Sequence, residues 1–173
     1  MSSKNTVKVK KVKLKVLEIE EVGNGQQAPP VDVSLAIGSQ VGSVPSAGGG
    51  TTPIFAGEMT YYDPKKGRDR KIDMVEAVFS EDQGASNEDG NIMLHISLTG
   101  TNDFIAPLVT TIPDDSASAP THCIVITPSG STAIDIKFLE PSPGEFVAYP
   151  ALYFHTTEGI IDPGLGVRRG TGN

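Results

Sequence analysis

The sequence predicts an all-β fold, namely a jelly-roll-like antiparallel β-sandwich of about eight or nine short strands with long loops rich in glycine, proline and serine. Short apolar runs recur along the chain, and turn residues separate them roughly every ten positions. The 19 glycines and 13 prolines favour turns over long helices. An immunoglobulin-like sandwich is the alternative, although the absence of tryptophan argues against its antibody-type subclass.

Nine candidate strands follow from the hydrophobic pattern. In the first, residues 7–20, valine and leucine alternate with lysine, and a change of phase at Lys10-Lys11 indicates a β-bulge. The others are residues 31–37, 54–62, 72–79, 92–98, 104–112, 122–127, 133–139 and 146–154. Residues 72–81 could instead form a short helix, because Met74, Ala77 and Val78 would share one helical face.

The same pattern divides the chain into three parts. Residues 1–21 form a basic N-terminal arm or edge strand, residues 22–158 form the sandwich domain, and residues 159–173 form a glycine-rich C-terminal tail. Within the domain, residues 38–53 contain Gly48-Gly49-Gly50 and are predicted to be a flexible loop.

The charges are strongly segregated along the chain. Residues 1–17 carry six lysines and no acid, and residues 65–71 carry five cations and one anion. Residues 72–136 carry ten acidic residues and no lysine or arginine. Either the basic segments are simply solvated, or they pair with an acidic surface on the same molecule or a neighbour. The predicted interaction residues are Lys8, Lys10, Lys11, Lys13, Lys15, Lys65, Lys66, Arg68, Arg70 and Lys71.

No catalytic, cofactor-binding or metal site is predicted. His95, His122 and His155 fall on separate candidate strands, without the local spacing of paired metal ligands. His122 and Cys123 are neighbours on one strand, so their side chains point to opposite faces and do not favour a Cys–His nucleophile. The acidic residues 81–91 offer oxygen ligands, but their spacing does not match a calcium-binding EF-hand loop, and a solvated hairpin loop is favoured.

The remaining features are typical of a subunit of an assembly. We expect a non-enzymatic structural protein, such as a coat, decoration or cementing subunit of a viral or phage virion, whose arm contacts copies of itself or other subunits. Two alternatives stay open. One is a module that binds a glycan or a protein through Tyr61, Tyr62, Tyr149 or Tyr153, and the other is an enzyme with a dispersed site.

Compartment and partner class also follow from the sequence. The chain lacks a continuous apolar segment typical of a secretory signal or a membrane span, and its single cysteine permits no internal disulfide. We therefore expect synthesis in the cytoplasm. A net charge of −7 disfavours general binding to nucleic acid, which leaves the basic arm as the one segment that could contact phosphates.

Overall fold

The computed structural model describes residues 15–20, 30–79, 92–111, 124–139, 146–148 and 152–169. In these ranges the chain forms β-strands joined by turns, which confirms the predicted all-β class. No helix of the described ranges is long and apolar enough to cross a membrane. The described strands are β1 (Val16–Glu20), β2 (Val31–Pro45), β3 (Thr51–Asp63), β4 (Arg68–Ile72), β5 (Met74–Phe79), β6 (Ile92–Leu98), β7 (Phe104–Thr111), β8 (Ile124–Pro128), β9 (Ala133–Phe138), β10 (Phe146–Ala148), β11 (Leu152–Thr156), β12 (Gly159–Asp162) and β13 (Leu165–Arg169).

The strands form two mixed sheets. The larger sheet has the order β7-β11-β12-β3-β2-β6-β9-β8, with β4 also paired to β3, and it curls into a half-barrel. The smaller sheet has the order β1-β5-β13-β10. Strand β5 is parallel to β1 and β13, β2 is parallel to β6, and β3 is parallel to β12. The fold is therefore consistent with a sandwich of mixed rather than purely antiparallel sheets, and the jelly-roll arrangement stays a prediction.

One hydrophobic core receives side chains from both sheets. Strands β5, β6 and β9 alternate buried and partly exposed residues, as expected for strands with one face in the core. Phe79 of the smaller sheet and Phe138 of the larger sheet are fully buried members of the same cluster. The alternation of apolar and polar residues in the sequence therefore correctly predicts which side chains of these strands face the core.

Among the described residues, the chain passes from the larger to the smaller sheet at two corners that contact each other. Asp73 separates β4 from β5, and Pro163-Gly164 separates β12 from β13. The Val75 amide donates a hydrogen bond to the Gly164 carbonyl at 2.8 Å. A Cβ atom at residue 164 would overlap the carbonyl oxygen of Asp73. Glycine is therefore needed at residue 164 because two backbones meet there.

Residues 38–53 form the outer part of the β2–β3 hairpin, so the prediction of a flexible loop was wrong for this segment. The Ser46 amide donates to the Gly50 carbonyl at 3.0 Å, and the hydroxyl groups of Ser46 and Thr52 are hydrogen bonded at 2.5 Å. Gly49 and Gly50 have φ angles of 95° and 75°. Glycine reaches these positive angles without strain, and the glycine run therefore supplies a tight turn.

Three further segments form strands that the sequence did not clearly predict. The charged residues Arg68–Ile72 form β4, and Met74–Phe79 form β5 rather than the alternative short helix. Residues 159–169, expected in a peripheral tail, contain β12 and β13, in which Ile161 and Val167 are fully buried. Glycine and proline dilute the apolar pattern of this segment. The described ranges consequently hold thirteen strands, more than the eight or nine expected.

Candidate interaction surface

The basic residues 65–71 belong to the β3–β4 hairpin, whose turn is organised by one aspartate. The Oδ1 atom of Asp63 accepts hydrogen bonds from the amides of Lys65 at 2.9 Å and Lys66 at 3.4 Å. The Gly67 amide donates to the Asp63 carbonyl at 2.8 Å, and Gly67 has a φ of 63°. An aspartate that bonds the backbone two residues onward stabilises a turn. Asp63 therefore holds the hairpin in which the two lysines are exposed.

The carboxylate of Asp63 also contacts a cation of the same hairpin. Arg70 Nη1 lies 3.4 Å from Asp63 Oδ2, and the Asp63 side chain is only 11% exposed. Desolvation raises the pKa of Asp63, but the hydrogen bonds from Lys65, Lys66 and Arg70 and the charge of Arg70 outweigh it. The net result is a pKa below the ordinary value of aspartate. The ionised carboxylate therefore stabilises the turn.

The other four cations of the hairpin present their charge to solvent. Lys65, Lys66, Arg68 and Lys71 are exposed, and none of them forms an ion pair with a carboxylate in the described ranges. Asp69 is the one exposed anion among them. The hairpin therefore carries a net positive charge that is available to a partner.

The structure places the end of the basic arm beside the base of this hairpin. The Lys15 amide donates to Asp73 Oδ2 at 2.8 Å, and the Lys15 carbonyl accepts from the Asp73 amide at 2.7 Å. Asp73 follows Lys71 by two positions, so the arm meets the body next to β4. We call Lys15 and the cations of residues 65–71 the cationic corner. Outside the described residues lie Lys8, Lys10, Lys11 and Lys13.

A second polar feature lies on the larger sheet, away from the core. His95 on β6 and Asp135 on β9 are cross-strand neighbours, and His95 Nδ1 lies 2.6 Å from Asp135 Oδ1. Asp32 on β2 is the neighbour of His95 on the other side. These groups do not form a metal-binding cluster, since no set of three potential ligands was found within the described residues. The His95–Asp135 hydrogen bond instead links two adjacent strands.

The candidate catalytic side chains are not brought together by the described fold. Strands β12, β3 and β2 separate His155 on β11 from His95 on β6. Burial lowers the pKa of His155, and burial raises the pKa of Asp162 on the neighbouring strand β12. Both groups are thus disfavoured in their charged forms. The positions of His122 and Cys123 lie outside the described residues.

The tyrosines are also distributed rather than clustered. Tyr61 packs against the core, whereas Tyr62 is 58% exposed, as expected for neighbouring residues of a strand, whose side chains point to opposite faces. Tyr153 lies on β11, which β12 separates from β3. The described part of the chain therefore does not assemble these side chains into one aromatic platform. Tyr149 and the acidic residues 81–91 lie outside it.

Comparison with known proteins does not identify a function for this surface. The chain matches no protein-family profile, no curated protein and no solved structure. The cationic corner combines residues that the sequence had singled out in two separate segments. Sequence reasoning missed Asp73, which joins them, because only the fold brings Asp73 to Lys15 across 58 positions.

Proposed function

We propose that this chain is a non-enzymatic structural subunit of a larger assembly, such as a coat, decoration or cementing protein of a virion. In this proposal, copies of the chain contact one another through the cationic corner and the arm that leads into it. The observation that carries the proposal is the anchoring of Lys15 on Asp73. It brings Lys15, the last lysine of the N-terminal basic segment, next to the base of the β3–β4 hairpin.

The distribution of charge supports a second copy as the partner of this surface. Eleven of the 14 lysines and arginines lie in residues 1–17 and 65–71, whereas 20 of the 21 acidic residues lie elsewhere. Each molecule thus has a basic part and an acidic part. Complementary potentials orient protein partners and select against wrong pairings, so the basic part of one copy suits the acidic part of the next.

Two variants test whether the cationic corner mediates assembly. The first lacks residues 1–14 and keeps Lys15 and β1, because Ile19 of β1 is part of the core. The second carries Lys65→Glu and Lys66→Glu at exposed positions of the hairpin. We expect both to form smaller species than the full chain in sedimentation velocity at low salt, because each removes attraction between copies.

The matched control is Lys137→Glu, which makes the same change of charge on β9, outside the corner. This variant should sediment like the full chain. Circular dichroism and thermal melts should show that all variants keep the fold. If the truncated chain and the hairpin variant both assemble like the full chain, the proposed role of the corner is wrong. A particle that forms only on addition of nucleic acid would make phosphate groups, rather than a second copy, the partner.

A further inference from the structure

An exposed aromatic ring on the larger sheet has a carboxylate on each side. Tyr62 of β3 is the cross-strand neighbour of Asp69 on β4. On the other side, the pairing of Val33 with Tyr61 brings Asp32 of β2 beside Tyr62. Tyr62 is 58% exposed, and both aspartates are exposed. Cross-strand neighbours share a face of the sheet, so Asp32, Tyr62 and Asp69 form one surface feature, which we call the Tyr62 row.

The two carboxylates of the Tyr62 row have no partner among the described residues. Neither Asp32 nor Asp69 forms a hydrogen bond or an ion pair there through its side chain. His95, the neighbour of Asp32 on β6, is instead hydrogen bonded to Asp135. Lys71 lies two residues after Asp69 on β4 and forms no ion pair with it. Both negative charges of the row are therefore available to a cation.

The chemistry of the Tyr62 row suits an ammonium or guanidinium group. The face of a tyrosine ring attracts a cation that lies within about 6 Å of the ring centre. Neighbouring strands lie about 4.8 Å apart, so a cation above the ring is also close to both carboxylates. Ion pairs with carboxylates add to this attraction, whereas an anion would be repelled. The row therefore selects a positively charged side chain.

The same hairpin carries cations of this kind. Lys65 and Lys66 lie in the turn that follows Tyr62 and are exposed, without an ion pair in the described part of the chain. Each copy thus presents unpaired lysines and an unpaired acidic row on one hairpin. A surface with both halves of a contact is complementary to the same surface of a second copy. This charge complementarity makes a second copy the partner of the row.

We propose that the Tyr62 row of one copy binds Lys65 or Lys66 of another copy. The lysine ammonium lies over the Tyr62 ring, between Asp32 and Asp69. This inference rests on the proposed function, because it names the acidic surface that the cationic corner contacts. The charges on both sides are exposed, so the contact weakens as salt is added.

Reversal of charge on each half, followed by mixing, tests this contact. The row variant carries Asp32→Lys and Asp69→Lys, and the hairpin variant carries Lys65→Glu and Lys66→Glu. Each variant alone brings like charges together, and it should associate about tenfold more weakly than the unmodified chain in sedimentation equilibrium at low salt. An equimolar mixture brings opposite charges together again. It should associate within about threefold of the unmodified chain.

Two substitutions of Tyr62 test the contribution of its ring. Tyr62→Phe keeps an aromatic face and should leave association unchanged. Tyr62→Leu keeps an apolar side chain without that face, and it should weaken association about threefold in the same experiment. Equal association of the two variants would show that no cation lies over the ring.

The matched control for the row variant is the double substitution Asp103→Lys and Glu158→Lys. It makes the same change of charge in the turns after β6 and β11, outside the row. This control should associate within about threefold of the unmodified chain, and circular dichroism should show that all variants keep the fold. A loss of association as large as that of the row variant would mean that net charge, and not this contact, governs assembly.

The outcomes separate the inference from the proposal on which it rests. If the hairpin variant associates less and the row variant associates normally, the contact with the Tyr62 row is wrong, while assembly through the cationic corner still stands. A mixture that shows no recovery would also exclude this contact. A full chain that stays monomeric at low salt would contradict the proposed function itself.

Discussion

Single buried side chains hold the turns of this protein in place. Asn102 is only 2% exposed, and its Oδ1 accepts hydrogen bonds from the Thr157 hydroxyl at 2.9 Å and the Glu158 amide at 3.1 Å. It thereby ties the turn after β6 to the turn after β11. Asp63 plays the same part in the β3–β4 hairpin through the amides of Lys65 and Lys66. Loss of either side chain leaves buried or turn amides without partners.

Asp63 predicts a specific dependence of stability on pH. Because its folded pKa is lowered from the ordinary 3.8, its stabilising contribution is complete above that value. The contribution disappears as the pH falls through the lower folded value. We therefore expect Asp63→Asn to destabilise the protein in urea unfolding at pH 7, and the difference from the unmodified chain to shrink on acidification.

The matched control for this experiment is Asp69→Asn. Asp69 is an exposed carboxylate of the same hairpin and makes no hydrogen bond to the described residues through its side chain. This variant removes the same charge without removing the turn. It should cost less stability than Asp63→Asn at pH 7. An equal loss in both variants would show that the hydrogen bonds of Asp63 do not stabilise the hairpin.

At the scale of elements, the two described corners at which the chain passes from the larger to the smaller sheet lie against each other. The β4–β5 corner meets the β12–β13 corner at Gly164, and the arm enters at the same place through Lys15. Three segments that are distant in the sequence therefore share one backbone contact. Asp73 is part of this contact and also binds the backbone of Lys15. The contact therefore positions Lys15 in the cationic corner.

Gly164→Ala tests the importance of that contact. Its Cβ would overlap the Asp73 carbonyl oxygen, so the backbones must separate, and we expect a loss of about 3 kcal/mol in the free energy of unfolding. Gly48→Ala is the control, because a Cβ there meets nothing within 4 Å. It should change the stability by about 0.5 kcal/mol or less in urea titrations. Equal stability of the two variants would contradict the close approach of the corners.

The sequence predicts some elements well and misses others for physical reasons. Strands β6 and β9 were predicted because their side chains alternate between core and solvent. Strand β4 was missed because four of its five residues are charged and exposed, and pairing with β3 rather than burial maintains it. Strands β12 and β13 were missed because glycine and proline interrupt their apolar residues. Alternation of apolar and polar residues indicates a strand with one buried face. It gives no signal for a strand that is maintained by backbone pairing alone.

At the scale of the whole molecule, the basic residues were identified from the sequence, but their common location was not. Residues 65–71 and the arm were singled out by charge alone. The position of Lys15 near the hairpin depends on its contact with Asp73, and no local pattern relates these two residues. The hydrogen bond between His95 and Asp135 was missed for the same reason, since it joins strands 40 positions apart. Long-range pairing is therefore the part of the candidate site that required the structure.

The proposed function requires that copies of this chain associate through complementary charge. The most direct measurement is the solution mass of the full chain by light scattering after size exclusion, first in low salt and then in high salt. Salt shortens the range of charge interactions from about 10 Å at 0.1 M to about 3 Å at 1 M. We therefore expect an oligomer in low salt that dissociates in high salt. A monomer of 18.2 kDa in both buffers would contradict the account.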